Sequence, residues 1–78
     1  SGVVVLGRKV DGQVGIIVRV SHDLTSKVRA GDVIREIAPI VGGKGGGKPD
    51  MAEGGGSEPE KLDDAIDAAY AAIEKMLN

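Results

Sequence analysis

Ile40-Val41-Gly42-Gly43-Lys44-Gly45-Gly46-Gly47-Lys48-Pro49-Asp50-Met51-Ala52-Glu53-Gly54-Gly55-Gly56 is the stretch on which the reading of this chain turns. Eight of the chain's 13 glycines fall between residues 42 and 56. Composition alone reads such a run as a flexible linker. Lys44, Lys48 and the apolar pair Met51-Ala52 do not belong in a Gly/Ser linker, however. Glycine reaches backbone angles closed to other residues and carries no Cβ to block close approach. The run therefore predicts a loop that presents bare backbone N–H groups to an anion, with Lys44 and Lys48 as mobile charges at its rim. The competing structural reading is that the glycines let the loop pass tightly against a sheet.

Two familiar nucleotide motifs fail on this stretch. Gly42, four residues, then Gly47-Lys48 match the start of a triphosphate-binding loop, but Pro49 stands where that loop needs a Ser or Thr hydroxyl for magnesium. The segment also follows a predicted helix rather than a strand, and no helix follows it directly. Gly43-Lys44-Gly45 opens like a dinucleotide fingerprint, yet Lys48 occupies the place of its third glycine.

Upstream, Val3-Val4-Val5-Leu6 is a continuous apolar run of the kind expected for a strand covered on both faces. Asp11-Gly12 supplies two residues suited to positive φ, so Val14 to Val20 reads as the return strand of a hairpin. Ile16, Val18 and Val20 share one face of that strand; Gly15 and Arg19 lie on the other. Ala30, Val33, Ile34, Ile37, Ala38 and Val41 then fall on one helical stripe over residues 30–41. Pro39 removes a donor and disfavours helical angles at Ala38, which predicts a kinked or unwound last turn. Downstream, Leu62, Ala65, Ile66, Ala69, Tyr70, Ile73, Met76 and Leu77 repeat at helical spacing. Ser57 and Glu60 suggest a capping box with Pro59 in the first turn, which sets a helix start near 58.

With 78 residues the chain allows one domain, residues 1–78. It has no Phe, Trp or Cys, and Tyr70 is its one aromatic side chain, so its core is aliphatic and it has neither disulfides nor a Cys-type zinc site. No apolar stretch approaches the roughly 20 residues of a membrane span, and these residues show no charged-then-apolar signal pattern; the expected setting is cytoplasmic. The start on Ser1-Gly2-Val3 predicts a segment excised from a longer protein. Net charge is −2 but uneven. Residues 1–48 carry eight basic against four acidic side chains; residues 49–78 carry two against eight. This division predicts a positive face able to meet phosphates and an acidic helix turned to water.

His22 is the single histidine and reads as a surface position, with no catalytic constellation around it. Asp63, Asp64 and Asp67 read as a solvated helix face rather than a metal site, so no catalytic residue, metal or cofactor is expected. Lacking aromatic platforms, the chain is poorly suited to capturing single-stranded RNA by stacking, whereas shape and phosphate recognition of folded RNA stays open. The electrostatic candidates are Lys44, Lys48 and Arg19, with Lys9, Lys27 and Arg29 behind them. The close-contact candidates are Gly42, Gly43, Gly45, Gly46 and Gly47.

The run Ile40–Gly56 resembles the signature of the C-terminal domain of alanyl-tRNA synthetases, which shares a superfamily with the C-terminal domains of DHH-type phosphoesterases. The similarity extends to the VVLG strand, the GQV turn, the strand ending Val20-Ser21, Ala30-Gly31-Asp32 and the helix containing Leu62. Pro39, and Glu53 where the family often carries Gln, are departures. The resemblance implies an α/β fold: a small sheet with an N-terminal hairpin, a helix before the glycine-rich loop and a long C-terminal helix packed on the sheet. It also implies truncation on the N-terminal side, with a strand and helices upstream of Val3. By the same resemblance the domain is a non-catalytic module that contacts the tRNA elbow and helps couple aminoacylation with editing. Its partners would be alanine-specific tRNA and the aminoacylation and editing domains of the same chain, with a homodimer possible through the missing part. The alternatives are a substrate-phosphate-binding accessory domain of a DHH-type phosphoesterase, where a histidine often accompanies the glycine run and here none follows Gly47, and a structural or dimerisation domain.

Overall fold

The computed structural model describes residues 2–78. Strands β1 (Val3–Val10) and β2 (Gln13–Val20) form the expected hairpin, with Val10 facing Gln13 and Val3 facing Val20. Asp11 and Gly12 both take positive φ, 49° and 76°, the geometry that matches the twist of the two strands. Helix α1 (Ala30–Ile37) comes next, and its stripe of apolar residues is buried. The apolar stripe over 30–41 unwinds in its last turn, as Pro39 predicts: Ala38–Val41 tightens into a 3₁₀ turn, and Gly42 ends it in the left-handed conformation at φ 73°. Pro39 is the physical cause, as its ring and missing donor disfavour continuation.

The glycine-rich segment is not a loop. It forms two strands, β3 (Gly43–Gly47) and β4 (Met51–Gly56), joined by a tight turn in which the Lys48 N–H donates to the Met51 carbonyl at 2.9 Å. β4 also pairs with β2, Ala52 facing Val18 and Gly54 facing Ile16, which gives one antiparallel sheet in the order β1-β2-β4-β3.

Helix α2 (Leu62–Leu77) closes the fold. Its start differs from the expectation: a 3₁₀ turn, Pro59–Lys61, precedes it, and no side chain caps either end of that turn. The Ser57/Glu60 pair therefore forms no capping box; the Glu58 N–H instead donates to the Val41 carbonyl at 3.0 Å, tying the entry of α2 to the exit of α1. Leu62, Ala65, Ala69, Ala72 and Ile73 are buried, whereas Tyr70 and Leu77 project into solvent. The stripe is thus narrower than its sequence suggests, because small alanines let α2 sit close to its neighbours.

Both helices cover the same side of the sheet, the one carrying Val14, Ile16, Val18 and Val20. The other side is uncovered. β1 is an edge strand with Val5 buried but Val4 and Leu6 exposed, 49% and 60%. The expectation of a strand covered on both faces is therefore corrected; an apolar run cannot by itself say which of its faces a neighbour will cover.

Candidate nucleic-acid interface

Strand alternation sorts the glycine run into two roles. A Cβ on Gly45 would lie 2.6 Å from Ile34 Cγ2 and from the Glu53 carbonyl oxygen, and one on Gly43 would overlap the Gly55 carbonyl. These positions need glycine so that β3, β4 and α1 can close on one another. Gly47 lies near the start of α1, since a Cβ on Gly31 would meet its carbonyl oxygen at 2.7 Å. Gly46 differs: it has no positive φ, and its Cβ would meet only Arg35 Nε, at 3.9 Å. It looks out on the uncovered side.

The run forms the outer strand of the sheet rather than a loop. Pairing with β4 engages alternate N–H groups of the run, and the turn carbonyls of Lys48 and Pro49 accept from the first N–H groups of α1, Gly31 at 3.2 Å and Ala30 at 2.9 Å. The helix start nearest Lys48 is thus already satisfied from within the fold. β3 is an edge strand whose remaining N–H groups point outward, and charged side chains lie beside them.

Those side chains converge on the uncovered face. Arg19 faces Met51 across the β2–β4 pair, and together with Gly46, Lys48 and Glu53 they line one shallow concavity. Leu6, Arg8, Gly15, Ile17 and Glu53 line a second beside it. Alternation puts Lys44, two residues before Gly46, on the same side. Rows across the sheet read Val4-Arg19-Met51, then Leu6-Ile17-Glu53-Gly46, then Arg8-Gly15-Gly55-Lys44. Arg8, Arg19, Lys44 and Lys48 therefore frame the face, about 10–14 Å apart across the strands and about 13 Å along them. None makes an ion pair with a described residue, and two acidic residues lie among them, Glu53 on β4 and Asp50 in the turn before it. By contrast, Asp63, Asp64, Asp67 and Glu74 are exposed on α2.

Of the residues expected from the sequence, Arg19, Lys44, Gly46 and Lys48 are brought together on this face. Gly43 and Gly45 serve packing, and Gly42 caps the 3₁₀ turn beside Glu58. Lys27 and Arg29 sit outside the face, flanking the approach to α1. Arg8 and Glu53 were missed; the alternation of Val4, Leu6 and Arg8 along β1 is the signal that finds Arg8. His22 is exposed in a 3₁₀ turn, His22–Leu24. Among the described residues no group of three His, Cys, Asp or Glu stands together as a metal site, and no helix is long and apolar enough to cross a membrane.

The DHHA1 domain model matches residues 1–75. The chain belongs to the DHHA1 domain family. This DHHA1 domain is similar to part of the alanine–tRNA ligase of Desulfosudis oleivorans, 57% identical over 75 residues, 96% of this chain and 9% of that protein. The ligase of Solibacter usitatus is 54% identical over 77 residues, 99% of this chain and again 9% of the relative. The chain thus spans about a tenth of the length of these relatives. Among solved structures, the C-Ala domain from Aquifex aeolicus alanyl-tRNA synthetase superimposes with a TM-score of 0.79 at 35% identity, covering 83% of this chain and 59% of that one. The family resemblance read from Ile40–Gly56 and the α/β fold it implies both hold.

Proposed function

We propose that this DHHA1 domain is the tRNA-binding C-terminal module of an alanyl-tRNA synthetase and meets the elbow of alanine tRNA with its uncovered sheet face. The observation that carries the reading is the frame of four cations, Arg8, Arg19, Lys44 and Lys48, none ion-paired with a described residue, on a face that neither α1 nor α2 covers. Cations spread over roughly 10–14 Å suit the phosphates of a folded RNA better than one small anion. Aliphatic rather than aromatic side chains between them favour recognition of shape over capture of splayed single strands. The names of the relatives support the assignment to an alanine–tRNA ligase. The module itself is read as non-catalytic: the chain has no cysteine, and its lone histidine is exposed in a 3₁₀ turn. Its role is to hold one tRNA while the aminoacylation and editing domains of the same cytoplasmic chain act on it.

The test is the Arg19→Ala/Lys48→Ala double variant of the full-length ligase, with tRNA affinity measured against salt and alanylation and editing followed together. Affinity should fall, and the log–log salt slope should flatten by about one unit per lost phosphate contact, so by about two. Unchanged affinity and slope would place the tRNA contact elsewhere on the protein.

A further inference from the structure

Glu53 is out of character with its surroundings. It is exposed at the centre of the uncovered face and lines both concavities, so it stands on the ridge between them. Its cross-strand neighbours are Ile17 and Gly46, and the basic residues Arg19, Lys44 and Lys48 lie at diagonal positions about 7–8 Å away. Despite these neighbours it forms no ion pair with a described residue. An ionised carboxylate is acceptor-only, so it repels phosphate and gains only from N–H or O–H donors. Glycines flank it on both neighbouring strands, Gly46 on β3 and Gly15 on β2, and Ile17 and Leu6 add apolar surface beside it.

Resting on the reading of this face as the tRNA contact, we infer that Glu53 accepts a hydrogen bond from the exocyclic amino group of a nucleobase. The cations hold the backbone on either side, and Glu53 fixes which base lies between them. Carboxylates recognise base amino groups in this way because the donor is unmatched by any phosphate oxygen. The residue thereby sets register on the RNA rather than adding to overall attraction.

The experiment compares Glu53→Ala, Glu53→Gln and the Arg19→Ala/Lys48→Ala variant in the full-length ligase, with an unmodified alanine-tRNA transcript as the probe. Glu53→Ala should weaken binding about tenfold without flattening the salt slope, although removing a negative charge from a phosphate-facing surface would otherwise strengthen it. Glu53→Gln keeps an acceptor oxygen and should stay within about threefold of the parent. Analogue interference should then locate one position where loss of the base amino group weakens the parent but not Glu53→Ala. If Glu53→Ala binds as tightly as the parent, or more tightly, while the double variant weakens, the face stands and Glu53 has no part in reading a base. Interference by 2′-deoxy substitution alone would move the contact to the ribose and overturn the base assignment. A double variant that binds like the parent removes the face itself.

Discussion

Gly45 and Gly46 are adjacent and chemically identical, yet an alanine at each should have opposite consequences. Neither has positive φ, so neither alanine meets backbone strain. At Gly45 the new Cβ would sit 2.6 Å from Ile34 Cγ2 and from the Glu53 carbonyl oxygen, and it would also press on the Gly54 Cα. Ordinary contact begins near 3.4 Å, so something must move by close to 1 Å. Ile34 is fully buried, and the other two atoms are backbone of β4, locked between β2 and β3. Overpacking of this kind costs about 1–3 kcal/mol where side chains can yield, and here the upper end applies. A chain of this length has about 4–12 kcal/mol in total, and each kcal/mol moves Tm by about 4–8 °C. Gly45→Ala should therefore lower Tm by about 12–24 °C in a thermal melt followed by circular dichroism. Gly46→Ala meets only Arg35 Nε at 3.9 Å and reduces the freedom of the unfolded chain, so it should be neutral or stabilising by up to about 1 kcal/mol. A Gly45→Ala domain melting within about 3 °C of the parent, or a Gly46→Ala domain losing as much as Gly45→Ala, would refute the assignment of the two glycines to opposite faces.

Ala69 is fully buried on α2, and Ala69→Asp should leave the domain unfolded by NMR, since an unpaired carboxylate there costs several kcal/mol. Ile66 is half-buried beside Gly7, and Ile66→Asp should cost measurably less in a urea titration; equal losses would mean that α2 is rotated from its assigned face. Asp32 and Arg35 form an exposed pair at 2.7 Å on α1, so Asp32→Ala should shift stability by less than about 1 kcal/mol. A larger loss in the same titration would show that Arg35 also braces the β3 edge through this pair.

Local chemistry alone determined the Asp11-Gly12 hairpin, the unwinding at Pro39 and the apolar stripes of the two helices. Each depends on residues within a few turns of one another, and their φ preferences and side-chain periods are written in the chain itself. The uneven charge, too, was visible as a tally. The two glycine strands were not legible from residue pattern, because glycine has no side chain to alternate and little intrinsic preference for extended structure. β4 becomes a strand by pairing with β2, more than thirty residues upstream, and β3 by pairing with β4. Tertiary structure also decided that a side chain is barred at one glycine and has room at the next, since the position of Ile34 on α1 helps tell Gly45 from Gly46. The same holds for the candidate site. Arg8, Arg19, Lys44, Lys48 and Glu53 lie on all four strands and the turn joining two of them, and they share a face only because both helices chose the other side of the sheet.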